Sequence, residues 1–207
     1  MNLKLKNLKL KNLKNNIDFR YRLEYDESIN FLIDSFFMED IMTSKVGQFE
    51  KISLEQWHKD FGDNDQHTFD AILEDIPMPK RATKGSAGYD ICTPYDIDLE
   101  PGEEINVPTG LKCKIDNGWA LFALPKSGLG FKYYVRLANT IGLIDEDYYN
   151  NENNEGHMWV KIRNEGSKTL HIDTHKGVCQ MVFLPYGITY DDEADGERKG
   201  GFGSTNS

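Results

Sequence analysis

Residues 139–156 read NTIGLIDEDYYNNENNEG, and whether this stretch is helix or strand decides the fold. Ile141, Leu143 and Tyr148 alternate with polar neighbours, which suits a strand running into a hairpin and not a helix. The acidic turn Asp145-Glu146-Asp147 follows, then two tyrosines and an Asn-rich loop almost without apolar residues. A carboxylate at the lip of a buried strand is well placed to activate water, because burial and a neighbouring like charge raise its basicity. Taken alone, the same residues also suit an ordinary acidic hairpin turn. The neighbouring motifs decide between the two.

Outward from this stretch, the character is the same from Ile76 onward. Short apolar runs recur between Pro, Gly, Asn and Asp: YDICTPYDIDL (89–99), EEINVPTGLKCKI (103–115), GWALFALP (118–125), MWVKIRN (158–164), KTLHIDT (168–174) and VCQMVFLPYGI (178–188). Many short strands at close spacing predict an all-β barrel or sandwich over residues 76–190. Before it, residues 46–75 read as a short helical segment. Ser53 and Gln56 match a capping box, Leu54, Trp57 and Phe61 share a helical face, and a second piece covers Thr68 to Leu73. This segment reads as packing. Residues 191–207 are acidic and then glycine-rich, which predicts a flexible arm.

Residues 1–45 stand apart. LKLKNLKLKNLKN (3–15) repeats every five residues, a period that builds no lasting apolar face, so it reads as low-complexity sequence. Residues 24–41 suit a short amphipathic helix. The codons for Met38-Glu39-Asp40 would resemble a ribosome-binding sequence, so translation is expected to start at Met42.

The chain has 207 residues and a net charge of −10, which argues against coating duplex nucleic acid. No apolar run is long enough to span a bilayer. Three cysteines without CxxC spacing read as reduced thiols and predict a cytoplasmic protein. His171 and His175 have the i, i+4 spacing of a helical zinc pair, but the segment is strand-like and lacks the Glu of HExxH, so zinc is not expected.

Three further stretches carry chemistry. Residues 79–90 place three basic residues before a small-residue turn and Asp90, which could hold metal-bound water. PKSGLG (125–130) offers a cation, a hydroxyl and backbone N–H groups around two glycines, a phosphate nest or a plain turn. RKGGFGST (198–205) has the wrong order for a P-loop; an aromatic between glycines on a flexible tail suits a lid.

SAGYD (86–90), PKSGLG (125–130), NTIGLIDEDYY (139–149), KGVCQMVFLP (176–185) and GGFGST (200–205) resemble, in this order, the five motifs of the trimeric dUTP diphosphatases, the dUTPase family. The resemblance implies a jelly-roll-like β-barrel, a homotrimer with active sites at the subunit interfaces, and Mg²⁺-dependent hydrolysis of dUTP to dUMP and diphosphate. That reaction keeps uracil out of DNA and supplies dUMP for thymidylate synthesis. By position it makes Asp145 the carboxylate that activates water and puts Tyr148 beneath the deoxyribose. Asn139 and the backbone of Gly142, Leu143 and Ile144 would read uracil. Lys126, Ser127, Gly128 and Gln180 would contact phosphates, and Asp90 would hold hydrated Mg²⁺. Arg198, Phe202, Gly203 and Ser204 would close over the site.

The chain departs from the family pattern in three places. Lys126 stands where Arg is usual, Arg198 lies one residue closer to Phe202, and the loop after Tyr148 is longer, with Trp159 facing uracil in one register. Two rivals remain: a dCTP deaminase of the same fold, and a nucleotide-sensing protein that binds a regulatory partner through residues 149–156 or the N-terminal extension.

Overall fold

In this computed structural model the described residues are 44–61 and 66–196, with 66–68 described by their backbone alone. The expected helix at 24–41 and the arm residues Arg198, Phe202, Gly203 and Ser204 lie outside them.

Twelve strands carry the described fold. They are β1 (Gly47–Lys51), β2 (Lys80–Arg81), β3 (Tyr89–Cys92), β4 (Ile97–Leu99), β5 (Glu104–Pro108), β6 (Leu111–Ile115), β7 (Trp119–Pro125), β8 (Val135–Leu137), β9 (Gly142–Ile144), β10 (Trp159–Asn164), β11 (Leu170–Ile172) and β12 (Gly177–Pro185). All pairings are antiparallel. Five strands form one sheet in the order β2-β3-β12-β7-β9, three form another as β5-β10-β8, and β1-β6 and β4-β11 are pairs. Inward residues alternate as a half-buried sheet demands, as in the buried Val160, Ile162 and Asn164 of β10. The core joins Ile91, Leu121, Val107, Ile162, Leu170 and Met181, each at most 1% exposed. The expected all-β fold is the observed one.

Three local elements differ from the reading of the sequence. Residues 47–51, grouped there with the helical segment, form strand β1 on β6. The nest PKSGLG opens a helix, α3 (Ser127–Tyr133), with Lys126 at its N-cap. The strand at 142–144 does not turn back into a hairpin. β9 pairs with β7, and the next strand, β10, pairs with β5 and β8, so residues 145–158 cross between two sheets.

Two helices precede the barrel, α1 (Leu54–Phe61) and α2 (Gln66–Asp75). The Ser53 hydroxyl caps α1 by accepting the Gln56 N–H at 3.1 Å. The reciprocal half of the box is supplied from elsewhere: the Ser53 N–H donates to Glu155 at 3.0 Å, and Gln56 Nε2 donates to Asp60. Leu54 is exposed, while Trp57 is buried and its indole N–H donates to the Phe69 carbonyl at 3.0 Å. Truncating such a side chain to alanine costs about 3–5 kcal/mol. Gly110, at φ +67°, lies under this packing: a Cβ there would stand 2.5 Å from Ile76 Cδ1.

Candidate active site

β9 is an edge strand of the five-stranded sheet. One side of Gly142–Ile144 pairs with Leu121–Ala123, so its other edge presents N–H and C=O groups that no strand covers among the described residues. Such an edge can read a planar ring with donors and acceptors. The edge opens on a cleft of about 640 Å³ whose walls include Asn139, Gly142, Ile144, Ala123, Met181 and Trp159. Gly142 is closely packed: a Cβ would lie 3.0 Å from that of Ala123, which would have to give by a few tenths of an ångström, and 3.8 Å from Asn139 Nδ2. Leu143, in register with Phe122, is 55% exposed; its side chain alternates to the other face of the sheet, and the residue borders the cleft at the strand edge.

Asp145 follows β9 directly. It is the extended N-cap residue of a 3₁₀ turn, Glu146–Tyr148, and makes no side-chain cap. Its carbonyl accepts the Tyr148 N–H at 3.2 Å, so chain direction, not the carboxylate, closes the turn. Asp145 is half-buried and follows Ile144, a wall residue of the cleft, in the chain. Tyr148 is buried, and its hydroxyl donates to the His157 carbonyl at 2.9 Å. Its ring is therefore fixed in the core and is not itself a wall of the cleft.

A second group of residues converges around β3, β12 and the end of β7. Lys126 Nζ donates to Asp90 Oδ2 at 2.9 Å. Gln180 is in register with Asp90 on β3 and with Leu124 on β7. Gly177 lets Lys126 approach, since a Cβ there would be 2.6 Å from Nζ; Gly88 does the same for Gln180 Oε1 at 2.8 Å. Ser127 and Gly128 are exposed at the start of α3, and a smaller hollow bounded by Lys126, Ser127, Phe131 and Tyr134 lies beside them.

The cleft at Gly142 and the group around Asp90 lie on opposite faces of one sheet. Residues in register share a face and successive residues alternate. Met181, Ala123 and Gly142 are aligned across β12, β7 and β9 and face the cleft. Asp90, Gln180 and Leu124, each one residue away, face outward. β3 is also three strands from β9, about 14 Å at the usual spacing.

The thiols near this sheet are not nucleophiles. Burial pushes Cys179 up to about 12, and burial followed by the Asp90 charge raises Cys92. All three cysteines are free. His171 bonds Asp98 at 2.7 Å and Asp173 at 3.1 Å, and the described residues hold no group of three or more metal-ligating side chains.

The sequence reading missed the polar wall of the cleft. Asp60 of α1, Asn153, Asn154 and Lys161 all line it. Asp60 carried no signal because a lone acidic residue on an amphipathic helix normally faces water. The Asn-rich loop did carry one: Asn150 and Glu155 sit at φ 56° and 58°, a conformation asparagine tolerates. Trp159 does line the cleft and stacks on Phe61 with ring centroids 5.7 Å apart.

Residues 74–206 match the family model described as dUTPase. The deoxyuridine 5'-triphosphate nucleotidohydrolase of Lactococcus lactis is 42% identical over 132 residues, spanning 63% of this chain and 88% of that protein. The corresponding protein of Pectobacterium carotovorum is 38% identical over 140 residues, 64% of this chain and 88% of that one. The crystal structure of dUTPase from Streptococcus mutans superposes with a TM-score of 0.53 at 33% identity, covering 68% of this chain and 97% of that chain. A phage phi11 dUTPase of S. aureus, described with a structural Mg(II) ion, shares the fold at 19% identity and a TM-score of 0.53, covering 73% of this chain and 98% of that one.

Proposed function

The chain belongs to the dUTPase family, and we propose that it hydrolyses dUTP to dUMP and diphosphate through sites that each draw on more than one subunit of a trimer. The observation that supports this division is the two-faced sheet: the cleft at Gly142 and Ala123 opens on one face, the Asp90–Gln180 group lies on the other, and three strand spacings separate β3 from β9, which Asp145 follows. The outward face also carries the apolar Phe122, Leu124, Val182 and Leu143, which suits contact with another copy.

Asn139 and the free edge of Gly142–Ile144 take uracil's polar rim, and the close approach of that backbone to the base is what excludes a thymine methyl. Tyr148 lies beneath the deoxyribose, backing the site from the core behind the cleft wall. Asp145 accepts a proton from the water that attacks the α-phosphorus, in line with the departing diphosphate. Lys126, Ser127, Gly128 and Gln180 of a neighbouring chain hold the phosphates. Lys126 grips as a point charge where a guanidinium would grip with two parallel bonds. Arg198, Phe202, Gly203 and Ser204 close over the nucleotide. One protein carboxylate, Asp90, suits Mg²⁺, which keeps most of its waters and takes phosphate oxygens as ligands. Bound Mg²⁺ supplies charge neutralisation on the triphosphate.

Family membership favours this reading over the deaminase. The loop at 149–156 is spent on internal contacts, with Glu155 on Ser53 and Lys112, so a regulatory partner would read only its outer surface. Cysteines that are all free suit a cytoplasmic enzyme.

Mixed trimers test the division. Asp145→Asn and Lys126→Ala chains, each nearly inactive alone, are expected to recover about a quarter of wild-type sites when refolded together at equal ratio. No recovery would place both groups in one chain's site.

A further inference from the structure

Given the reading that Tyr148 underlies the sugar, we infer that Asp60 and His157 are positioning residues that set the choice of deoxyribose over ribose, acting through Tyr148. Asp60 lies outside residues 74–206, the part that matches the family.

The contacts run without a gap. The Gly110 N–H donates to His157 Nε2 at 3.0 Å, so that nitrogen carries no proton. The proton is then on Nδ1, which donates to Asp60 Oδ2 at 2.5 Å. The other carboxylate oxygen of Asp60 accepts Gln56 Nε2 at 2.8 Å, which ties the pair to α1. The imidazole has no solvent exposure and lies between Trp57 and Trp159, 5.9 and 5.0 Å from their rings. His157 thus has one tautomer and one orientation.

From His157 the chain reaches Tyr148 directly. The His157 carbonyl accepts the Tyr148 hydroxyl, and Asn154 Nδ2 donates to that hydroxyl at 2.8 Å and to the same carbonyl at 3.3 Å. Asn151 Nδ2 donates to the Tyr148 carbonyl at 2.8 Å. Residues 151–157 therefore hold both the backbone and the tip of Tyr148, and α1 holds residues 151–157 through Asp60–His157, Ser53–Glu155 and Lys59–Asn153. Exclusion of a 2′-hydroxyl by shape works only if the excluding ring cannot yield. The helix and the long loop supply that stiffness.

The test compares kcat/KM for dUTP and UTP, together with Tm, in full-length variants. Asp60→Ala is expected to lower the dUTP/UTP ratio about tenfold by letting UTP react. Asp60→Asn, whose carbonyl still accepts from Nδ1, should restore most of the ratio. Leu73→Ala weakens the same helical pair without touching the relay, so it should lower Tm and leave the ratio unchanged. Should Asp60→Ala not fold, Asn154→Ala, which removes the Nδ2 bonds to the Tyr148 hydroxyl and the His157 carbonyl together with the Oδ1 bonds from Asn151 and Gly156, decides in its place with an expected severalfold loss of ratio. Tyr148→Leu separates the two layers. If it relaxes the ratio and the Asp60 and Asn154 variants do not, the inference is overturned and the sugar reading stands. If Tyr148→Leu leaves the ratio intact, the sugar reading fails and takes the inference with it.

Discussion

The cleft beside β9 and the cluster around Asp90 are built on opposite principles. The cleft is made of backbone and packed surface: an edge strand, a closely packed glycine, and walls set by Met181, Ala123 and Trp159. The cluster is made of partly exposed side chains held by a single ion pair. Lys126 and Asp90 are 35% and 41% exposed at the side chain and neutralise each other. A rigid backbone can tell one base from another but cannot absorb charge. A flexible ion pair can take up a triphosphate but reads no shape. In the proposed reaction the two are brought together by neighbouring chains, with Asp145 at the end of the rigid strand.

The largest effect expected is therefore at that junction. Asp145→Asn should lower kcat by about 10³-fold, within the range for loss of a general base, while dUTP binding by titration calorimetry stays near wild type. Retained turnover would move the base elsewhere. Next comes the flexible end. Lys126→Ala should lower kcat/KM about a hundredfold, the loss of a charge-assisted contact, with the preference for dUTP over dTTP unchanged. Gly177→Ala should reproduce part of that loss, because its methyl would occupy the space 2.6 Å from Nζ.

At the rigid end the opposite pattern is expected. Gly142→Ala forces β9 away from Ala123, with an expected rise in KM for dUTP of about tenfold and little change in kcat once saturated. Steady-state kinetics on these variants break the comparison if Gly142→Ala reduces kcat alone, or if Lys126→Ala alters base preference.

Most of the barrel was legible because a sheet with one buried face writes its period into the sequence, as β10 does in Trp159–Asn164. The family was legible because five short motifs stand in order along the stretch that matches its model. Two kinds of feature were not. Which strands pair is a long-range matter, so nothing in 139–149 told that β9 would join β7 and leave β8 and β10 to a different sheet. Partners in sequence-distant loops were equally hidden: Gln56 seemed to complete the Ser53 box, yet Glu155, 102 residues away, does so.

That contact gives the smallest and last prediction. Glu155 joins the long loop to both α1 and the barrel: Oε2 accepts the Ser53 N–H and hydroxyl, and Oε1 accepts Lys112 Nζ at 2.6 Å. Burial works to raise its carboxyl, but the bonds from Lys112 and Ser53 outweigh burial and leave it below the usual carboxylate range. A lowered folded value means the unfolded chain takes up the proton first as pH falls. The stabilisation is then complete at neutral pH and is lost as pH drops below about 4.3, the ordinary glutamate value, through the lower folded one. Glu155→Gln should cost about 1–2 kcal/mol by urea unfolding at pH 7, with the gap to wild type closing at acidic pH. The cleft walls at Asn153 and Asn154 belong to the same loop, so the variant should also blunt the dUTP/UTP ratio slightly. A constant gap across pH would mean that shape at Glu155, and not its charge, holds the rigid half together.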